Sequence, residues 1–498
     1  MEKLPRRQDE FPGGLFMELL PHDFKLLGSR FGATCRALPL VMAVMLSAWH
    51  GLVLADHGFP RLMGSNIGEK HYDDPIYQMQ LARMDIVILG FYRGWGHSQS
   101  QQPIRDVVRT LKRVNPNLLV AQYTILNEAN DDSQNSAEND KQSKLRNEGW
   151  WLRRGDGRRV QWTNQYQAWD INITEWTKPD SSGQRYPEWL AQRDYHVFFE
   201  PVPEFDIWYF DNVMAHQRIA LADWRRDGKD EAGDSPEIQK AFRRGQAAHW
   251  KKAHELAPKA LLMGNADNDL SLPEYKGKLQ AVFLEGLMGK SWSLYANGGW
   301  GRMMDLYHKV FDNLLSPRIV GFNVAGRPSD YRFLRFALAS CLMNNGYFSY
   351  TDETRGYSTV PWFDEYEVKL GKPLDPPQTK PWRDGIYRRR FENGLVLVNL
   401  GFQPGSIDVE PGYTHFRGNR RHRSTMVFRQ SRYSLGREMG CCWLRFVRSK
   451  PSIDRSFCES EWRPANPRYP YTTNNNADIS LLRLLYTARV VPRIRCDT

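Results

Sequence analysis

Residues 205–213 read Phe-Asp-Ile-Trp-Tyr-Phe-Asp-Asn-Val. An apolar and aromatic run of strand length leads into Asp211 and Asn212, which predicts a buried strand that delivers a carboxylate and an amide to a surface rim. Barrel enzymes display a catalytic acid in this way. The competing interpretation is that Asp211 only closes a turn or caps the next helix, as Asp and Asn often do. The rest of the chain decides between the two.

Segments of strand length alternate with helical patterns from residue 56 onward. The predicted strands span 61–68, 85–92, 118–126, 205–213, 260–267, 279–287, 318–326 and 347–353. Helical spacing of apolar residues recurs at 76–84, 104–114, 235–256, 301–315 and 329–344. Eight strands alternating with helices predict an α/β fold, a (β/α)8 TIM barrel over residues 56–375, because right-handed crossovers leave few other closures.

A small antiparallel β domain is predicted to begin within residues 380–412. Residues 385–391 and 395–399 alternate around Asn393-Gly394, a pattern typical of a hairpin. Residues 413–498 then carry 17 Lys and Arg against 6 Asp and Glu, so the net charge of +11 resides in this Arg-rich tail. The charge therefore says nothing about what the barrel binds. The tail is interpreted either as a rearranged β segment or as a basic segment for an anionic polymer.

Residues 37–55 form an almost uninterrupted apolar segment that follows Arg30 and Arg36. A basic flank, an apolar core and a small residue at Ala55 are typical of a secretory signal peptide. A single membrane anchor and a buried helix are the alternatives. Residues 1–55 are thus predicted to be a signal peptide or an N-terminal extension. The protein is expected to be secreted or periplasmic, with membrane contact only if the segment stays uncleaved.

Polar residues at strand ends are the candidates for an active site, since barrel sites lie at the carboxyl ends of the strands. Asp211 and Glu285 end the fourth and sixth strands, and their carboxylates are expected to face each other across the barrel mouth. Cleavage of a glycosidic bond requires at least two such groups, one that attacks or activates water and one that protonates the leaving oxygen. Asp211 is predicted to be the nucleophile, and Glu285, in an apolar setting that raises its pKa, the proton donor. The alternative for Glu285 is a salt bridge to an exposed Lys or Arg.

Nine further polar or aromatic residues near strand ends are predicted to bind substrate. They are Asn66, Tyr92, Tyr123, Asn212, Asn265, Asp267, Trp300, Asn323 and Asp352. Asp352 also fits a simple polar loop. The 17 tryptophans suit a ligand with apolar faces such as a sugar, although each one is also explained by core packing.

Motifs for other chemistries are missing from the sequence. It contains no His-x-His, His-Glu-x-x-His or Cys-x-x-Cys array for a metal, no Gly-x-Ser-x-Gly and no Gly-rich phosphate loop. We therefore expect no cofactor and no metal, a carbohydrate substrate, and no nucleic-acid partner despite the basic tail. Two other functions stay open: a catalytically inactive carbohydrate-binding barrel, and a polyanion-binding protein that acts through the tail.

Five motifs, in this order, resemble glycosyl hydrolase-like family 15. They are Tyr-Phe-Asp-Asn at 209–212, Phe-Leu-Glu-Gly at 283–286, Gly-Gly-Trp at 298–300, Trp-Phe-Asp-Glu-Tyr at 362–366, and Tyr-Arg-Arg-Arg-Phe-Glu-Asn-Gly-Leu-Val-Leu-Val-Asn at 387–399. That family looks like the α-galactosidase superfamily of barrel hydrolases, whose nucleophile ends strand four and whose acid/base ends strand six. The resemblance covers residues 58–412. It implies a glycoside hydrolase of O-glycosyl bonds, with Asp211 as nucleophile and Glu285 as acid/base. With a nucleophile in that role we expect a retaining mechanism, and inversion stays the alternative. The superfamily usually has Asp in the second role.

Overall fold

The computed structural model describes most of the chain between residues 58 and 445. The described residues are 58–68, 71–90, 102–130, 138–165, 168–400, 405–416, 432–435 and 439–445. The predicted signal or anchor segment at 37–55 and most of the tail at 413–498 lie outside them. Within the described residues, no helix is both long enough and apolar enough to span a bilayer.

Eight parallel strands form one sheet in sequence order. They are β1 (Met63–Asn66), β2 (Ile86–Leu89), β3 (Leu119–Ile125), β4 (Ile207–Val213), β5 (Leu261–Ala266), β6 (Ala281–Met288), β7 (Ile319–Gly326) and β8 (Tyr347–Asp352). A parallel bridge between Leu62 and Phe348 joins the first strand to the eighth and closes the sheet into a barrel. Each strand overlaps a predicted segment, so the predicted (β/α)8 TIM barrel is confirmed.

Within the described residues, seven α-helices surround or extend the barrel. They are α1 (Pro75–Ala82), α2 (Gln102–Val114), α3 (Asn139–Asn147), α4 (Tyr186–Asp194), α5 (Pro236–Leu256), α6 (Leu294–Asn313) and α7 (Tyr331–Cys341). Helix α5 begins where the sequence predicts, because Ser235 caps it and Pro236 occupies its first turn. Helix α6 begins before its predicted start at residue 301. It runs through a kink at Gly299, whose φ of 71° is not helical.

Alternation along the strands separates the barrel interior from the helix layer. In β4, Ile207 and Tyr209 pack inside the barrel with Phe283 of β6. Trp208 and Phe210 point the other way, into the core beneath the helices. Because successive side chains of a strand alternate between faces, the next inward position after Tyr209 is Asp211.

Antiparallel sheets follow the barrel. Their strands are β9 (Ile386–Phe391), β10 (Gly394–Asn399), β11 (Gly405–Asp408), β12 (Tyr413–His415), β13 (Arg432–Leu435) and β14 (Met439–Arg445). Strands β9 and β10 form the predicted hairpin, with Phe391 paired to Gly394 across a two-residue turn. Strand β14 pairs with β10, so part of the predicted basic tail joins this sheet.

Arg389 attaches the hairpin to the end of helix α7. Its side chain is buried, and its guanidinium donates to the carbonyl oxygens of Leu342 at 3.0 Å, Asn344 at 2.5 Å and Asp375 at 3.2 Å. A fourth bond reaches Oδ1 of Asn345 at 2.6 Å. Burial lowers the pKa of Arg389 to about 10. Carbonyl oxygens at a helix C-terminus carry partial negative charge, so the cation satisfies acceptors that the helix leaves open.

Replacing Arg389 with Met is expected to lower the free energy of unfolding by about 3 kcal/mol or more, because several buried acceptors lose their donor. The measurement is urea unfolding of the purified protein. The neighbouring Arg390→Met is the matched control. Its half-exposed ion pair with Asp375 predicts a loss of only about 0–1 kcal/mol. Equal losses in the two variants contradict the assigned role of Arg389.

Candidate active site

A cavity of about 770 Å³ opens at the carboxyl ends of the barrel strands. This volume lies within the range of about 300–1,000 Å³ that is typical of ligand sites. Tyr123 of β3, Asp211 of β4, Asn265 of β5 and Glu285 of β6 all line it. The barrel thus brings the two predicted catalytic carboxylates and two predicted binding residues to one wall.

The side-chain amide of Asn265 connects the two carboxylates. Its Nδ2 donates to Oδ1 of Asp211 at 2.9 Å and to Oε2 of Glu285 at 2.6 Å. Strand β5 lies between β4 and β6 in the sheet, so its inward side chain at this level reaches both neighbours. One amide therefore sets the spacing and the orientation of both acidic groups.

The backbone becomes irregular at both acidic residues. Between Phe210 and Val213, β4 holds one residue more than its partner β5, and Asn212 adopts a φ of 56°. The pairing of β6 with β7 shifts between Leu284 and Met288, and Gly286 there has a φ of 57°. Bulges commonly re-aim a side chain beside an active site. Here each bulge begins at the carboxylate itself.

Separate phenols also bind the two carboxylates. The hydroxyl of Tyr123 donates to Oδ2 of Asp211 at 2.6 Å, and the hydroxyl of Tyr357 donates to Oε1 of Glu285. Burial raises the pKa of Glu285, and the nearby negative charge of Asp211 adds to the rise. The hydrogen bonds from Tyr357 and Asn265 act in the opposite direction, since they favour the charged form.

Asn212 and Asp267 lie in the cavity wall as predicted. Oδ1 of Asn212 accepts from Arg218 at 3.3 Å. Oδ1 of Asp267 accepts the backbone N–H of Ala215 at 3.1 Å and the side chain of Asn268 at 2.9 Å. Asn212 therefore places a polar group beside the candidate nucleophile. Asp267 stabilises the loop that follows β4.

Four other predicted binding residues do not line the cavity. Asn66 and Asp352 occupy outward positions, because the inward residues are Met63 and Ser65 in β1 and Tyr347 in β8. Asn66 is buried against Tyr72 and Tyr77. Asp352 instead binds Thr354 and lines a separate small cavity.

Asn323 and Trp300 are buried for different reasons. Asn323 accepts from the backbone N–H of Gly286 at 2.9 Å and donates to Ser349 and Thr351 beneath the cavity. Trp300 packs in the core of the helix layer and donates to Ser340 at 2.9 Å. Asn323 thus supports the β6 bulge, and Trp300 supports packing. Tyr92 lies outside the described residues.

Segments between the barrel strands contribute cavity residues that the ends of the barrel strands do not reveal. Glu128, Trp162, Arg218 and Tyr357 all line the cavity. Burial raises the pKa of Glu128, as does the charge of Asp211, while a hydrogen bond from Trp162 lowers it. Six tryptophans lie in the segment between β3 and β4, and one of them, Trp162, lines the cavity. Nothing in the sequence pairs Glu128 with Trp162, which follows it by 34 positions.

Among the described residues, one cluster of carboxylates has the spacing of a cation site. It consists of Asp223, Asp227 and Glu231. Asp223 accepts the backbone N–H groups of Asp227 and Gly228, and Glu231 accepts that of Trp224. These bonds explain the cluster as a polar turn, and it does not line the cavity.

The fold is a (β/α)8 barrel, and its cavity holds a pair of carboxylates of the kind that glycoside hydrolysis uses. Residues 112–395, more than half of the chain, match hypothetical glycosyl hydrolase family 15. The chain belongs to this family, which confirms the family predicted from the motifs. It is accordingly a glycoside hydrolase by family.

Several solved glycoside hydrolases are similar in structure at low sequence identity. The glycoside hydrolase domain of PelA from Pseudomonas aeruginosa is 16% identical, with a TM-score of 0.37 over 61% of this chain and 100% of that one. An α-amylase from Anoxybacillus is 9% identical, with a TM-score of 0.43 over 80% and 99%. A variant of the GH36 α-galactosidase AgaA from Geobacillus stearothermophilus is 9% identical, with a TM-score of 0.40 over 79% and 56%. No curated protein sequence matches the chain significantly.

Proposed function

We propose that this protein hydrolyses O-glycosidic bonds of an oligosaccharide or polysaccharide by a retaining mechanism, with Asp211 as nucleophile and Glu285 as acid/base. The observation that carries the proposal is the shared contact with Asn265. One nitrogen binds an oxygen of each carboxyl group, at 2.9 Å and 2.6 Å. Because they share one nitrogen, these two oxygens lie at most about 5.5 Å apart. This supports a carboxyl pair nearer the roughly 5–5.5 Å of retaining enzymes than the roughly 6.5–9.5 Å of inverting enzymes, which must leave room for a water molecule.

The environments of the two groups support different roles. Glu285 is partly buried, and burial raises its pKa, so it retains a proton to higher pH than an ordinary glutamate. Asp211 accepts from Tyr123, Asn265 and the backbone N–H of Asn212, which together orient its oxygens. A proton donor beside an oriented carboxylate is the pair that glycoside hydrolysis needs.

The proposed reaction has two steps. First, an oxygen of ionised Asp211 attacks the anomeric carbon, the glycosidic C–O bond breaks, and Glu285 gives its proton to the departing oxygen. Second, Glu285, now ionised, takes a proton from water, whose oxygen attacks the same carbon and releases Asp211. Two displacements at one carbon restore the starting configuration, and both residues return to their initial states.

The stereochemistry of the first-formed product tests this proposal. Wild-type protein is incubated with a panel of polysaccharides, oligosaccharides and glycosyl fluorides, and the product from any hydrolysed substrate is followed by proton NMR before mutarotation. We expect the anomeric configuration of the substrate to be retained. An inverted product overturns the nucleophilic role of Asp211. Binding of glycans without hydrolysis of any panel member supports an inactive carbohydrate-binding barrel instead.

A further inference from the structure

Trp292 is an exposed tryptophan in the wall of the catalytic cavity. It is 58% exposed and lines the cavity, whereas Trp150, Trp208 and Trp224 are fully buried. An indole left in water at the edge of a concave site carries a large apolar face that a ligand can cover. The face of a sugar ring is apolar enough to pack on it.

The backbone of the β6 bulge supports the indole. A Cβ atom added at Gly286 would collide with the six-membered ring of Trp292, so the ring rests directly on this glycine. The residue that follows Trp292, Ser293, is buried and caps helix α6 by accepting from Ala296 at 3.1 Å. The indole is therefore held between a bulge and a helix start, immediately beside Glu285.

A different aromatic group stands on the side of Asp211. Trp162 is 36% exposed, and its Nε1 donates to Glu128 at 2.5 Å. The guanidinium of Arg218 lies 4.5 Å from the centre of its ring and also donates to Asn212, the residue after Asp211. The cavity thus has one aromatic wall next to the proposed nucleophile and another next to the proposed acid.

We propose that Trp292 is the platform for the sugar unit on the leaving-group side of the scissile bond. The inference rests on the proposed function, because Glu285 protonates the oxygen that joins the attacked sugar to the departing one. A ring that departs past Glu285 meets the indole of Trp292, while the attacked sugar lies over Asp211 toward Trp162. The site then favours bonds within a sugar chain over bonds to a small leaving group.

Trp292→Ala tests the platform when two substrates of the same sugar are compared. One is an oligosaccharide, and the other is the glycosyl fluoride, whose leaving group has no ring. We expect kcat/KM for the oligosaccharide to fall about 10- to 100-fold, the range that follows from losing one buried aromatic contact. We expect kcat/KM for the fluoride to stay unchanged. Trp292→Phe is expected to restore most of the loss, because a smaller aromatic face remains.

Trp382→Ala is the matched control, since this tryptophan is 41% exposed and does not line the cavity. Its two kcat/KM values are expected to equal those of the wild type. Equal losses on both substrates with Trp292→Ala overturn the platform, because they indicate a general distortion of the site. Unchanged activity on the oligosaccharide overturns it as well.

Binding separates this inference from the proposed mechanism. Calorimetric titration of the same oligosaccharide into Glu285→Gln protein, with and without Trp292→Ala, measures the platform in the absence of turnover. Weaker binding by about 10- to 100-fold supports Trp292 as a sugar platform even if the wild type hydrolyses nothing. In that case the proposed hydrolysis fails, together with the assignment of the platform to the leaving-group side. Equal affinities overturn the platform.

Discussion

Asp211→Asn is expected to lower kcat by about four orders of magnitude or more, because an amide cannot form the covalent intermediate on which both steps depend. The substitution nearly preserves shape, and the amide oxygen can still accept from Asn265. The fold and glycan affinity should therefore remain. The measurement is steady-state hydrolysis of whichever substrate the wild type cleaves, together with a titration of the same glycan.

Two further variants separate a nucleophile from a structural aspartate. Asp227→Asn changes an exposed carboxylate that does not line the cavity, and its activity should match the wild type. Asp211→Ala opens space for azide, which can attack the anomeric carbon of the glycosyl fluoride in place of the carboxylate. The product is then a glycosyl azide of inverted configuration. A loss below about tenfold in Asp211→Asn, or an Asp211→Ala variant that azide does not rescue, argues against the assigned role.

Glu285→Gln is expected to lower kcat/KM for oligosaccharides about 10²- to 10⁴-fold, because the departing oxygen loses its proton donor. The glycosyl fluoride should lose far less in kcat/KM, which reports the first step, since fluoride departs with little protonation. In the wild type, kcat/KM for the oligosaccharide should fall as pH rises through the raised pKa of Glu285, where the acid loses its proton. Equal losses on the two substrates contradict general acid catalysis.

The pH dependence of stability tests the raised pKa of Glu285 independently of activity. The pKa of Glu285 is raised in the folded protein, mainly by burial, so the neutral form is favoured by folding. Its favourable contribution is present below the unfolded pKa and is lost as pH rises through the folded pKa. Gln stays neutral throughout. The Tm of Glu285→Gln relative to wild type should therefore increase from acidic to neutral pH, and a pH-independent difference argues against the raised pKa.

Much of the barrel and part of its site follow from local patterns. The eight strands and the helices beside them appear as apolar runs and helical spacing, and burial against a common core requires those patterns whatever the loops do. Asp211, Asn265 and Glu285 were identified because the ends of parallel strands meet at one rim. Because successive side chains of a strand alternate between its two faces, all three point into the barrel.

Errors in the predicted site arose where the sequence pattern does not show whether a side chain points into the barrel or away from it. In β1 and β8, the polar residues at the strand ends do not show by themselves which face is inward. Asn66 and Asp352 were therefore assigned to the cavity although both face outward. The prediction that Trp300 lines the cavity was wrong for a different reason. An aromatic residue that follows a strand can pack in the helix layer as readily as it can line the cavity, and Trp300 packs in the helix layer.

The amino-acid sequence alone was sufficient for the barrel, the family and the acidic pair, because strand periodicity and chain order depend on neighbouring residues. Only the tertiary structure placed Glu128 against Trp162, Tyr357 on Glu285, and the indole of Trp292 on Gly286. Contacts such as these join segments that are far apart in the chain or depend on the path of a loop. No local preference specifies them, and they form only when the closed barrel brings its loops together over one cavity.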